Sequence, residues 1–197
     1  MSRIRTTAAA LTLAAAAIFA APASVQAELA VYEIDGSHSR VLWKIFHMNV
    51  ADFYGRFNDV SGKVVLDDAD PSKNSVEITI KADSIDSGNE KRDQHIKGPD
   101  FLNAKQFPEI TLKSTKVSKV DDKTYSVDAN LTLHGVNKPV SFKFTLTGTT
   151  KHPRSGKEIA GGRTEFTFKR SDFGINYMLQ GLSDEITVIA SVEGERQ

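Results

Sequence analysis

The chain has 197 residues, and its 25 Lys and Arg balance its 25 Asp and Glu, so the formal net charge is zero. This length fits one domain of ordinary size, and the balanced charge argues against a nucleic-acid-binding or polybasic role. Hydrophobic residues make up 40% and cysteines are absent, so we expect a folded core without disulfides, thiolate metal ligands or a cysteine nucleophile.

The N-terminal segment has the pattern of a secretory signal peptide. Arg3 and Arg5 precede an apolar run, and small residues ending at Ala27 follow it. A membrane anchor is the alternative, but the run is too short to span a bilayer comfortably. We therefore predict that residues 1–27 are removed on export, and that residues 28–197 form one periplasmic domain with no stable membrane insertion.

The rest of the chain has the pattern of β-strands. Apolar residues recur at every second position in segments such as 41–45, 127–133 and 140–146, which is the period of strands with one buried face. About eight such segments, separated by turns, predict an all-β antiparallel meander. A sandwich or a closed barrel can result, and closure is attractive because it leaves no exposed edges. An eight-stranded barrel has room for side chains or for one small ligand.

One charged segment, residues 87–107, interrupts the strands. We predict a short helix near residues 89–97 and a turn around residues 100–104. Arg92 and His95 are three residues apart and share a face of this helix, where they can hold an anionic or carbonyl head group at a cavity mouth. The alternative is a solvated helix face, or a salt bridge that fixes the helix to the barrel.

Two apolar stripes are candidates for the interior surface. One consists of Val41, Trp43 and Ile45, and the other includes Phe142 and Phe144. In a barrel both stripes line the inside, whereas in a sandwich they are packed core. The sequence pattern alone does not distinguish a cavity from a filled core.

The polar residues favour a binding protein over an enzyme. Asp35, Ser37 and His38 are close in sequence, but strand neighbours point to opposite faces, so we interpret them as a turn stabilised by side chains. No Gly-x-Ser-x-Gly motif occurs, and the histidines lack the usual metal-ligand spacing: they are residues 38, 47, 95, 134 and 152. We expect no catalytic residues, no metal and no resident cofactor.

Several segments, taken in order, resemble the YceI-like family of exported bacterial proteins, and the resemblance covers residues 30–194. The segments are Asp35…Ser37-His38-Ser39, Val41-x-Trp43-x-Ile45-x-His47, Gly55-Arg56-Phe57, Lys91-Arg92-Asp93-x-His95, Asp100-Phe101-Leu102, Phe107-Pro108-Glu109-Ile110, Leu131-Thr132-Leu133-His134-Gly135-Val136-x-Lys138-Pro139-Val140 and Lys169-Arg170-Ser171-Asp172-Phe173-Gly174-Ile175. The chain departs from the family in having Trp43 where Phe is usual, and in the apolar outward residues Leu42 and Phe46.

The resemblance implies an extended antiparallel lipocalin-like barrel of eight strands with a short helical insertion. Its cavity would hold a polyisoprenoid or another long-chain amphiphile, such as a quinone or a polyprenyl phosphate. It further suggests a homodimer and a link to quinone or cytochrome b systems, with no nucleic-acid partner. The ligand-binding residues that we expect are Val41, Trp43, Ile45, Arg92, His95, Phe101, His134, Phe142 and Phe144.

Two other functions stay open at this point. The domain is alternatively a stress-related interaction module with a filled core, which binds another periplasmic protein through Leu42 and Phe46. The less favoured alternative is an enzyme that acts on a lipid or an ester with His38 as its base.

Overall fold

The computed structural model describes residues 29–67 and 69–197. The predicted signal peptide, residues 1–27, lies outside this part of the chain. The strands are β1 (Ala30–Ile34), β2 (Arg40–His47), β3 (Ala51–Phe57), β4 (Val60–Leu66), β5 (Ser75–Lys81), β6 (Ile85–Asp86), β7 (Glu109–Lys119), β8 (Thr124–Leu133), β9 (Val136–Lys151), β10 (Glu158–Lys169) and β11 (Leu182–Arg196). One α-helix, α1 (Glu90–Lys97), lies between β6 and β7 among these described residues.

The strands form one closed antiparallel barrel. β1 and β2 both pair with β11, β1 through residues 194–196 and β2 through residues 182–191, so they act as one interrupted strand. β3 and β4 pair with β2 and β1 in the same way, and β5 and β6 continue the pattern beside them. With β7 to β11 they make eight long strands, and the pairing of β1 with β11 closes the sheet. The predicted eight-stranded barrel is confirmed.

The period-two pattern produces the inward face. In β8, buried and half-buried residues alternate along all ten positions, and the buried residues are Tyr125, Val127, Ala129, Leu131 and Leu133. The sequence pattern misses β3, because its residues alternate poorly in hydrophobicity. This segment is a strand because it pairs with β2 along its whole length. Tertiary contacts of this kind decide strand formation more than local propensity does.

The meander places the connections alternately at two ends of the barrel. We define the upper end by the β2–β3 turn, the segment 87–108, the β8–β9 turn and the segment 170–181. The opposite, lower end carries the β7–β8 and β9–β10 turns, the start of β1 and the end of β11.

The helical insertion lies at the upper end, as the sequence predicts. The Asn89 side chain caps α1 by accepting a hydrogen bond from the Arg92 amide at 3.0 Å, and Gly98 ends the helix. No residue of α1 is buried. The following turn supplies the anchors instead, because Leu102 and Ala104 are buried in the upper core.

Candidate functional site

The barrel interior contains a cavity of about 480 Å³ with an almost entirely apolar lining. The lining comes from strands all around the barrel and from α1 and the segments beside it. Residues of both packed clusters of the barrel line it, among them Val41 and Phe57 of one cluster and Val117 and Val127 of the other. The interior is therefore not a filled core, and its volume falls within the range of small-molecule sites.

Eight of the nine residues that we predicted as ligand contacts line this cavity. Three of the eight belong to the apolar stripe of β2, two belong to the stripe of β9, and the other three lie at the upper end. The eight residues are Val41, Trp43, Ile45, Arg92, His95, Phe101, Phe142 and Phe144. Their position agrees with the prediction, while their contact with a ligand stays a prediction.

His134 is the exception, because it is absent from the cavity lining. It lies in the β8–β9 turn with a backbone φ of 52°. Its Nδ1 is 3.1 Å from the Phe173 carbonyl oxygen, and its ring packs edge-on against Phe107 at 5.0 Å between centroids. The imidazole thus joins the turn to two other connections of the upper end, which accounts for its conformation without a ligand.

The cavity reaches solvent at the upper end. Every lining residue of the lower half is buried or half-buried, whereas the exposed lining residues all belong to upper connections or to the strand and helix beside them. They are His47, Arg92, His95, Tyr177 and Met178. These five side chains define the mouth of the cavity.

Arg92 connects α1 to the barrel while facing the mouth. Its Nε and Nη2 donate hydrogen bonds to the hydroxyl and carbonyl oxygens of Ser87, at 2.8 and 2.7 Å. Its guanidinium carbon lies 4.3 Å from the centroid of the Phe53 ring, a cation–π geometry. Within the described chain, Nη1 forms no hydrogen bond that competes with an anionic head group. Both interpretations of Arg92, fixing the helix and facing a ligand, are compatible with this geometry.

His95 belongs to an aromatic cluster on the other side of the mouth. Its ring contacts Phe101 and Tyr177 edge-on, at centroid distances of 5.1 and 5.3 Å, and those two rings contact each other at 5.2 Å. Its Nε2 lies 2.8 Å from a carboxylate oxygen of Asp100. This cluster ties α1 to the segment that precedes β11, so it closes part of the rim.

Tyr177, Met178 and Arg170 also line the cavity, and the sequence pattern did not predict this. Arg170 is 2% exposed, and it donates hydrogen bonds to the carbonyl oxygens of Ile175, Tyr177, Leu182 and Ser183. Burial lowers the pKa of its guanidinium. Two acceptors lie in the bend before β11 and two at the start of β11, so Arg170 fixes the upper segment that carries Tyr177 and Met178. The sequence feature that could have indicated this part of the cavity is the uncharged apolar triplet from Tyr177 to Leu179.

Trp43 carries a polar group into the apolar surroundings. Its indole Nε1 is buried and has no hydrogen-bond partner among the described residues. The ring lies over Gly55, which pairs with Trp43 across β2 and β3, and it packs against Phe53 at 5.9 Å. A side chain at position 55 would collide with the indole, so Gly55 makes room for Trp43.

The polar cluster near Asp35 lies away from the cavity lining. Asp35 Oδ1 accepts hydrogen bonds from the Ser37 amide and hydroxyl, and Oδ2 lies 2.7 Å from His38 Nδ1. These contacts lower the pKa of Asp35 and raise the pKa of His38. Glu193 approaches His38 Nδ1 to 3.9 Å, a neighbour that the sequence did not predict. The predicted turn stabilised by Asp and Ser side chains is confirmed.

A metal ion has three potential ligands in the same cluster. The ligand atoms of Asp35, His38 and Glu193 lie within 4.8 Å of one another. In the described chain, His38 Nδ1 is paired with Asp35 at 2.7 Å, and Glu193 lies 3.9 Å from the same nitrogen.

Among the described residues, no helix has the length and hydropathy needed to cross a membrane.

Known proteins resemble the whole domain. A UPF0312 protein of Pseudomonas aeruginosa (strain LESB58) is 40% identical over 189 residues, which covers 94% of this chain and 98% of the relative. The solved YceI protein of Campylobacter jejuni is 30% identical with a TM-score of 0.69, covering 77% of this chain and 89% of that structure.

A third protein shares the fold at low identity. It is a polyisoprenoid-binding domain from Saccharophagus degradans, 14% identical with a TM-score of 0.67, and the match covers 84% of this chain and 98% of that domain. The family model of the YceI-like domain matches residues 32–194, which include most of each of the eight long strands. The chain therefore belongs to the YceI-like domain family.

Proposed function

We propose that this chain is an exported periplasmic carrier that sequesters a polyisoprenoid or another long-chain amphiphile, of the quinone or polyprenyl phosphate type, inside its barrel. The observation that carries the proposal is the apolar cavity of about 480 Å³, whose exposed lining residues within the described barrel all lie at the upper end. Burial of an isoprenoid tail contributes about 25 cal/mol for each Å² of apolar surface removed from water.

The mouth is suited to a polar head group. Arg92 supplies a cation beside the opening, and His95 and Tyr177 supply groups that hydrogen-bond to oxygen. The tail would then lie along the apolar stripes, and the head group would remain near solvent. Arg92, His95, Phe101 and the two stripes are the contacts that we assign to the ligand.

The relatives support the ligand class and the absence of catalysis. The family and the fold are those of binding proteins, and one solved relative is described as a polyisoprenoid-binding domain. The signal-peptide pattern of residues 1–27 supports a periplasmic location. A homodimer and a functional link to quinone or cytochrome b systems are parts of the same proposal.

The geometry around His38 gives little support to the alternative of an esterase. A serine hydrolase uses both ring nitrogens of its histidine, one for the serine and the other for the carboxylate. Here the Ser37 hydroxyl, at 3.1 Å, and the Asp35 carboxylate both contact Nδ1. Among residues 29–67 and 69–197, Nε2 therefore has no hydrogen bond to the serine that the mechanism requires.

The first test is native mass spectrometry of protein purified from the producing cells after export. We expect the mass of a mature chain that begins at Glu28, together with a second, larger mass from a bound molecule. An organic extract of the same protein should contain that molecule as a prenyl-chain lipid. A persistent apo mass, together with no uptake of added prenyl quinones or polyprenyl phosphates, would overturn the carrier proposal.

The head-group assignment is tested with matched variants of α1. Arg92→Ala should weaken binding of a polyprenyl phosphate by about fivefold to tenfold, while binding of the uncharged polyprenol stays unchanged, because an exposed charged hydrogen bond contributes roughly 1 kcal/mol. Lys91→Ala is the control, since Lys91 neighbours Arg92 but does not line the cavity. Trp43, the single tryptophan, reports binding by its fluorescence. Equal losses for both lipids would contradict the assignment.

A further inference from the structure

An exposed apolar surface surrounds part of the cavity mouth. It consists of the end of β2 and two upper connections, the β2–β3 turn and the bend that precedes β11, and we name it the apolar collar. Its six residues and their exposed fractions are Phe46 (39%), Met48 (50%), Val50 (80%), Tyr177 (42%), Met178 (45%) and Leu179 (42%). Exposed apolar residues are ordinary when scattered, but a contiguous group beside a cavity marks an interaction surface.

The two connections form one continuous surface. The Met48 amide donates a hydrogen bond to the Gly181 carbonyl oxygen at 2.6 Å. The methionine side chains meet over Gly181, because a Cβ at that position would lie 2.8 Å from Met178 Cε and 2.9 Å from Met48 Sδ. Tyr177 and Met178 also line the cavity, so the collar continues without a break into the mouth.

The backbone holds these side chains outward. Met48 and Met178 have φ values of 51° and 56°, a left-handed conformation that is uncommon for residues other than Gly, Asn and Asp. Arg170 fixes the second connection through its bonds to backbone carbonyls. The fold thus maintains an exposed apolar surface at a conformational cost, and such strain is typical of functional segments.

The collar lacks formal charge. Residues 173–183 contain no Asp, Glu, Lys or Arg, and neither do residues 45–51. The nearest charged residue of β3, Asp52, is paired with Lys44 at 3.5 Å. Insertion of the six collar side chains into an apolar environment therefore carries no desolvation penalty for a charge of their own, and it does not depend on an anionic partner. Methionine, leucine and tyrosine side chains suit the boundary between lipid headgroups and acyl chains.

We propose that the apolar collar is a peripheral docking surface that places the cavity mouth against the headgroup region of a lipid bilayer. This inference rests on the proposed function, because a long apolar tail cannot cross water between membrane and cavity without exposing its full surface. Contact through the collar gives the tail a continuous apolar path from the acyl chains into the barrel. The contact is superficial and reversible, and differs from the spanning insertion that the sequence argues against.

The test measures binding of the exported, purified protein to phosphatidylcholine vesicles by flotation. We expect binding that changes little between low and high salt, since the collar is uncharged. The variant Val50→Ser combined with Leu179→Ser should lower vesicle partitioning by about tenfold or more. Neither residue lines the cavity, so its affinity for a prenyl quinone in solution should remain that of the wild type.

The matched control is Val120→Ser. Val120 is 55% exposed in the β7–β8 turn, at the opposite end of the barrel, so this change should leave flotation unaltered. A second readout is the rate at which loaded protein delivers a prenyl quinone to acceptor vesicles. Collision through the collar predicts a rate that rises in proportion to vesicle concentration, and the collar variant should lose this dependence.

Different results separate the two proposals. Flotation without any lipid uptake into the cavity would support the collar and overturn the carrier function. Lipid uptake without flotation, with delivery independent of vesicle concentration, would overturn the collar and leave the carrier function standing. Sedimentation showing a wild-type dimer that the collar variant abolishes, with no flotation of either, would assign the surface to a second copy and overturn membrane docking.

Discussion

The side chain of Trp43 determines the size of the residue that can lie opposite it, at position 55. The indole occupies the space that a side chain at position 55 would need. Because β2 and β3 place the two residues directly opposite each other, neither strand can shift to relieve the contact. The size of the residue at position 55 thus controls the position of the tryptophan in the cavity.

We predict that Gly55→Ala destabilises the protein by about 1–3 kcal/mol, because overpacking displaces the indole. The fluorescence of Trp43 should shift at the same time. The control is Gly148→Ala in β9, where no heavy atom lies within 4 Å of the added carbon. That change should be neutral or stabilising by less than about 1 kcal/mol. Urea unfolding checks both variants, and equal stability of Gly55→Ala and wild type would contradict the packing argument.

The contact between His38 and Asp35 makes stability depend on pH. The pKa of His38 is raised above 6.5, mainly by its hydrogen bond to Asp35, so its contribution is complete below that value and is lost as pH rises through the raised pKa. The pKa of Asp35 is lowered below 3.8, mainly by its bond to the Ser37 hydroxyl, so its contribution is complete well above pH 3.8 and is lost progressively as the pH falls from there through the lowered pKa.

We therefore predict that His38→Gln lowers the urea midpoint more at pH 5 than at pH 9. At pH 5 the histidine is charged and the carboxylate is ionised, whereas at pH 9 the imidazole is neutral. Asp35→Asn should remove most of this pH dependence. Midpoint differences that are the same at both pH values would show that the ion pair is not formed.

Single residues also show what the sequence could and could not predict. The stripes of β2 and β9 follow from period-two alternation, which is a local property. The position of His134 does not, because its left-handed turn and its bond to Phe173, 39 residues away, depend on how the upper connections pack. The proximity of Glu193 to His38 is likewise a product of strand pairing over 155 residues, so no local pattern contains it.

Among the elements, α1 could be predicted from the sequence, whereas the bend before β11 could not. Asn89 and Gly98 mark the ends of α1 in the sequence, so the helix could be placed from its caps. The bend of residues 174–181 has no such signal. Arg170 organises it through four backbone carbonyls, and those acceptors are visible only once the segment has folded.

We predict that Arg170→Met destabilises the protein by about 3 kcal/mol or more, since it leaves the buried carbonyl of Ile175 and three partly buried carbonyls without their donor. Hydrogen exchange in residues 174–183 should accelerate more than exchange in β8. Arg163→Met is the control, because Arg163 is an exposed arginine in β10, the strand that ends just before Arg170. If both substitutions lowered the urea midpoint equally, the role of Arg170 in the bend would be excluded.

At the scale of the whole molecule, closure of the barrel sets the capacity of the cavity. The pattern of about eight strands predicted an all-β meander but left a sandwich and a barrel open, and the resemblance to the YceI-like family supplied the barrel. Cavity volume depends further on how side chains from opposite walls meet, which alternation does not specify. A volume of 480 Å³, at about 30 Å³ for each water-sized group, accommodates about sixteen non-hydrogen atoms, or roughly three five-carbon prenyl units.

We predict that affinity for prenyl quinones rises with each unit until about three units and then levels off, because further units remain outside the cavity. Fluorescence titration of Trp43 with a series of increasing chain length checks this. An affinity that continues to rise well beyond that length would show that the interior expands on binding, and an affinity independent of length would place the tail outside the barrel.

The closure of the sheet has a practical consequence for orientation. Tyr32 pairs with Arg196, and the Gln197 amide donates a hydrogen bond to the Val31 carbonyl at 2.9 Å, so the C-terminus is fixed beside the start of β1. It lies at the lower end, a full barrel length from the mouth. An affinity tag or a sensor-surface linkage at Gln197 would thus present every immobilised molecule with its opening directed toward the sample.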